Sequence, residues 1–142
     1  MEFALGIVKA LEATVSTTQL ASDLADLGQN LYNPPTVKGW AGGQHWINST
    51  AIVARQNLAS ALLQGSGPYG NKLNPWAVAQ KHGFMTPEST RRFLLDLFLQ
   101  GNLDSGIYDT LPKAPKGQDD DLGELTRSLA YAIVTLPEFQ LA

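Results

Sequence analysis

The chain alternates between leucine-rich stripes at helical spacing and short clusters of proline, glycine and asparagine. No pair of alternating apolar runs is joined by a hairpin turn, so the pattern predicts an all-α protein. Phe3, Ile7, Ala10 and Leu11 share one face of a first helix that begins almost at Met1. A second helix opens at Ser16-Thr17-Thr18-Gln19, where Ser16 caps and Gln19 is placed to reach back to it. Its stripe is Leu20, Leu24, Leu27 and Leu31, with Asp23 and Asp26 expected in water, and Asn33-Pro34-Pro35 stops it.

Asn48-Ser49-Thr50 starts a third helix that runs to about Leu63, with Ala51, Ala54, Leu58, Ala61 and Leu62 on one side. Asn74-Pro75-Trp76 and Thr86-Pro87-Glu88 each pair a capping residue with proline at the first helical position. The first opens a short helix ending at Gly83, which places His82 at its carboxy end. The second opens a helix carrying Phe93, Leu94, Leu95, Leu97, Phe98 and Leu99, apolar almost all round and therefore expected to be central. A short turn is expected at Ser105–Leu111, and a solvated connection at Lys113–Asp121. A last helix from about Asp121 to Leu136 is expected to present Leu122, Leu125, Leu129, Ala132, Ile133 and Leu136 to the core, with Pro137 closing it. The whole reads as one compact, irregular bundle of five to seven helices spanning residues 1–142.

One stretch, from Asn33 to Asn48, has neither helical nor strand periodicity. Loops beyond ~15 residues are uncommon and tend to be functional or disordered. Val37, Trp40, Trp46 and Ile47 weigh against disorder, so an ordered loop packed by its tryptophans is expected.

Composition narrows the function classes. At 142 residues a single domain can bury ~70% of its unfolded surface. Charged residues make up only 16%, which suggests that part of the exterior lies against other protein. A net charge of −3 opposes nucleic-acid binding, which requires a basic face. No apolar run approaches the ~20 residues of a membrane span, and a signal peptide's features are absent. With no cysteine, disulfides, thiolate nucleophiles, zinc ribbons and iron–sulfur clusters are excluded. Two histidines, His45 and His82, are too few for a multi-histidine metal site, and no cofactor is called for.

The segment Leu27-Gly28-Gln29-Asn30-Leu31-Tyr32-Asn33-Pro34-Pro35-Thr36-Val37-Lys38-Gly39-Trp40, then Gly42-Gly43 and Trp46-Ile47-Asn48-Ser49-Thr50, resembles a signature of the bacterial domain of unknown function 1800 family. The ending Thr135-Leu136-Pro137-Glu138-Phe139-Gln140-Leu141-Ala142 is similar to the end of those proteins, and Glu2-Phe3-Ala4 to the start of an internal helix. The resemblance implies a helical fold, the carboxy-terminal third of a larger parent, and a periplasmic or extracellular setting. It assigns no activity. The uncapped apolar start at Met1 fits a chain cut from something longer.

Candidate chemistry centres on Lys38, Trp40, His45, Trp46 and Asn48. Indoles on a glycine-rich loop can stack on sugar rings, and His45 can exchange a proton near neutral pH. The alternative is that both indoles plug the core while Gly39, Gly42 and Gly43 make turns. Gly65–Gly70 lacks the strand and Lys-Ser/Thr of a phosphate-binding loop and reads as a helix-ending turn. Asp119-Asp120-Asp121 lacks the alternation and distal glutamate of a calcium loop and reads as helix amino-terminal charge. Arg91-Arg92 reads as an ordinary surface pair, with pairing to Asp96 or to a carboxylate of a parent protein as the alternatives. No catalytic set assembles from spacing. The leading expectation is a non-catalytic packing or protein-interaction module, partnered by the rest of a parent protein, another subunit or a second copy. The alternative is a ligand or enzymatic site, for instance for a glycan, on the Trp40–Trp46 loop.

Overall fold

A computed structural model describes residues 2–28, 30, 32–39, 48–64, 67–100, 106, 111 and 122–140. Among them are seven helices and no strand: α1 Glu2–Ala10, α2 Thr17–Asp26, α3 Ser49–Leu63, α4 Pro75–Lys81, α5 Pro87–Leu99, α6 Leu122–Val134 and α7 Pro137–Gln140. The expected all-α bundle is the fold. The expected turn at 105–111 and connection at 113–121 fall almost wholly outside the described residues, although Leu111 is buried.

The helix starts follow the capping chemistry of the sequence. Asn48 and Asn74 each accept the amide N–H three residues on, from Ala51 at 2.8 Å and Ala77 at 3.2 Å. Thr86 and Ser89 form a reciprocal capping box at the start of α5. At α2 only half of the expected box forms. Ser16 receives the Gln19 amide at 3.5 Å, but the Gln19 side chain turns forward and donates to Asp23 at 2.9 Å.

Two boundaries differ from the pattern. The structure ends α2 at Asp26 rather than at the prolines, because Gly28 adopts φ +78° and closes the helix from just past its last turn. Pro137 does end α6, but it also opens the four-residue α7. At the end of α5 the left-handed residue is Gln100, φ 53°.

The core is one apolar cluster drawn from every long helix, with Ile7, Leu62, Leu73, Leu94, Leu95, Ile133 and Val134 fully enclosed. Helix α6 packs against α3, α4, α5 and α7, while α5 meets α1, α4, α6 and α7. The centre is therefore shared by α5 and α6. On α6 the buried positions are Thr126, Leu129, Ala130, Ile133 and Val134, a face rotated from the expected leucine stripe. A helix packed against four others needs small residues where neighbours come close, and Thr126 and Ala130 provide them. The Thr126 hydroxyl donates to the Leu122 carbonyl, so its burial leaves no unpaired polar group.

Three polar ties hold this packing in register. Arg127, on α6, donates to the Leu63 carbonyl at 2.6 Å, to the Leu73 carbonyl at 3.3 Å and to the Asn71 side chain. Leu63 is the last residue of α3, whose carbonyls lack partners within the helix. Tyr69, on the turn closed by the Gly70 N–H to Gly67 carbonyl bond at 3.0 Å, is buried and donates its hydroxyl to Asp23. Asp23 is thus partnered by α2 and the α3–α4 turn, where the sequence pattern placed it in water. Arg55 donates to the Gln140 carbonyl and side-chain oxygen, both at 3.1 Å, and lies 5.4 Å from the Phe3 ring centroid. Phe139 packs edge-on against Phe3 and Phe98, each at 5.7 Å, completing the clasp on α7.

Arg127→Ala leaves the Leu63 carbonyl without its charged donor and is expected to cost about 3 kcal/mol in urea unfolding. Arg127→Lys recovers only part of this, because an ammonium does not span the divergent acceptors. Burial and the neighbouring Asp23 carboxylate both raise the Tyr69 hydroxyl above its ordinary ionisation range. That contribution is fully present below the ordinary tyrosine pKa of ~10 and disappears as pH rises beyond it. Tyr69→Phe should lower stability by about 1–2 kcal/mol at neutral pH and remove that part of the alkaline loss, read from denaturant melts across pH.

Candidate functional site

The segment singled out by its sequence is described on both flanks. Tyr32, just before it, and Gly39, within it, take positive φ, 62° and 89°. The Asn33 N–H donates to the Asn30 carbonyl at 3.1 Å. A turn follows in which the Gly39 N–H donates to the Thr36 carbonyl at 2.9 Å and the Thr36 hydroxyl returns a bond to the Gly39 carbonyl at 3.0 Å. Lys38 is exposed on this turn. After the segment, Asn48 sits at φ −128°, ψ 166° and caps α3 through its side-chain oxygen. Of the five candidate residues, Lys38 and Asn48 are described, and Trp40, His45 and Trp46 lie outside the described residues. Asn48 has a defined structural task, which accounts for its place in the motif.

Apolar side chains on both flanks face solvent. Tyr32 is 97% exposed and Val37 fully so, while Ile52 and Val53, in the first turns of α3, are 39% and 54% exposed. The second half of α3 behaves differently, burying Leu58, Ala59, Leu62 and Leu63. The expected core face of α3 forms, with Leu58 and Leu62 buried and Ala54 and Ala61 packed against the core, and Ile52 and Val53 lie off it.

Glu12, at φ 50° in the α1–α2 corner, receives Lys81 and lies 3.1 Å from His82 Nε2, joining that corner to the end of α4. Hydrogen bonds from Lys81 and then His82 hold its carboxyl below the usual range. His82 ends α4 as its spacing indicated, and its ring lies 5.3 Å from Phe93. Burial pulls the Arg55 guanidinium down from its ordinary value. Arg91 and Arg92 form no ion pair with Asp96. An open groove of about 410 Å³ lies between α3 and α6, lined by Ser60, Leu63, Gln64, Glu124, Ser128 and Tyr131. Arg127 is at its edge with its donors committed to backbone. Among the described residues no three of His, Asp and Glu gather as a metal site would require, and no helix is long and apolar enough to cross a membrane.

Sequence reasoning missed Arg127, Arg55 and Tyr69, whose roles depend on partners 46 to 85 residues away. No local signal marks such pairs.

A family model described as "Protein of unknown function (DUF1800)" matches residues 1–141. The chain belongs to the DUF1800 family. No curated protein and no solved structure matches it. Membership of this family agrees with the motif spanning the two flanks, and carries no assigned chemistry with it.

Asn48→Ala removes the acceptor for the Ala51 amide and is expected to cost about 1 kcal/mol by thermal or urea melt. Asn48→Ser keeps a capping oxygen and should restore most of it; equal losses for both variants would show that the cap is not what Asn48 supplies.

Proposed function

We propose that this DUF1800 chain is a non-catalytic helical module that binds protein through the apolar flanks of its Asn33–Asn48 segment. The observation that carries the reading is the exposure of Tyr32 and Val37, in the motif, and of Ile52 and Val53, just after it. Apolar side chains scattered singly on a surface need no explanation; four exposed ones close in sequence to one distinctive segment support a contact region. Tyr32 adds to this. A non-glycine residue in the left-handed region costs ~1–2 kcal/mol, and here that conformation holds an aromatic ring out in water. Aromatic anchors of this kind are enriched where interfaces gain most of their energy. The low charge content, 16%, points the same way. The partner is a second copy, another subunit or further parts of a parent protein, and the shared chemistry is an apolar surface that covers these side chains.

A second reading keeps the segment as a ligand site, for instance for a glycan. Lys38 favours it, standing exposed on a turn that leads directly to Trp40.

Sedimentation over a wide concentration range tests the first reading. The chain should self-associate or capture a subunit, and Val37→Asp combined with Val53→Asp should weaken association by about 2 kcal/mol or more, ~30-fold, without changing the helical circular dichroism. A strictly monomeric wild type, with tryptophan fluorescence that changes saturably on adding a glycan, would favour the second reading instead.

A further inference from the structure

Three arginines are drawn into the body of the bundle, and two of them are answered by this chain. Arg55 is met by Gln140 and the Phe3 ring, and Arg127 by two carbonyls and Asn71. The third, Arg91, is not. Its Nε and Nη2 are enclosed without a hydrogen-bond partner. Arg91 stands on α5 three, four and seven residues before Leu94, Leu95 and Phe98, so it shares the side of the helix that carries the buried residues. Arg92, one position on, is exposed. The acids of α5, Glu88 and Asp96, are exposed, and neither is ion-paired with Arg91.

The identity of the two unanswered atoms is informative. Nε and Nη2 form one edge of the guanidinium, with parallel N–H groups spaced to meet two oxygens of one group side-on. A charged donor left unpaired in a protein interior is strongly unfavourable, so the pair calls for an acceptor. A water molecule offers an acceptor but leaves the positive charge uncompensated, whereas an oxyanion satisfies both donors and the charge. Arg91 as a whole is only partly buried, so part of its side chain reaches solvent while this edge is enclosed.

The geometry points to Arg91 as the receptor for an oxyanion, taken two-pronged by Nε and Nη2 at the first turns of α5. The oxyanion is a carboxylate or a phosphate supplied from outside the described chain. This site is independent of the apolar flanks proposed for protein binding, since it lies on a different helix and uses charge rather than apolar area.

The test is thermal unfolding of the full chain in sodium acetate, inorganic phosphate or sodium chloride at matched ionic strength. Acetate or phosphate should raise Tm saturably beyond chloride, and whichever does so identifies the source of the oxyanion. Arg91→Leu should lose that increment and have an anion-free Tm at least equal to wild type, since it removes an unanswered charge. Should Arg91→Leu not fold, Arg91→Lys serves: it keeps the charge but not the paired edge, and should weaken the apparent affinity about tenfold. The proposal is overturned if neither anion exceeds chloride, or if Arg91→Leu or Arg91→Lys responds as wild type does.

Discussion

Arg127 joins the end of α3, the turn that follows it and the middle of α6 through one guanidinium. A helix end leaves backbone carbonyls without partners, and a carbonyl turned into a helix interface must find a donor or carry the cost of desolvation. The end of α3 is in that position, because α6 packs across it and excludes water from Leu63. A guanidinium answers by donating in more than one direction from a rigid plane, so Leu63, Asn71 and Leu73 are fixed relative to one another. Tyr69 lies between them and reaches Asp23 from the same turn, which places α2 against the bundle. The register of α2, α3 and α6 thus depends on backbone carbonyls being satisfied by side chains distant in sequence.

The amino-terminal half of α3 is tied down on one face by Ala54 and Arg55, and Ile52 and Val53 lie off that face, exposed. The Asn48 cap sets where that half begins. The chemistry of the motif region is apolar on the flanks, with Lys38 as the charged group among the described positions. Arg55 at the opposite clasp and Arg91 on α5 show two outcomes for a cation drawn inward: one is fully answered by α7 and Phe3, the other has an edge left open.

Much of this architecture is legible in the chain. The starts of α3, α4 and α5 follow from Asn48, Asn74 and Thr86, because a cap is a contact between residues three apart and needs no tertiary information. The stripes of α1 and α5 are likewise local, and Phe3, Ile7, Leu94, Leu95 and Phe98 lie where periodicity puts them. Where two local signals compete, the pattern is less decisive. Asn33-Pro34-Pro35 was a sufficient stop for α2, but Gly28 acted earlier because a left-handed glycine satisfies the final turn at once. Gln19 could reach back to its cap or forward to Asp23, and the forward bond forms, to the carboxylate that also receives Tyr69.

By itself the sequence determined the helical class, the capped helix starts, the family and the segment that marks it, since each depends on spacing within a few residues. Tertiary structure alone decided which face of α6 turns inward, that Asp23 is bonded rather than solvated, and which arginines find partners. These outcomes follow from packing several helices around a common core, where the neighbour of a side chain lies tens of residues away. No local periodicity encodes that distance.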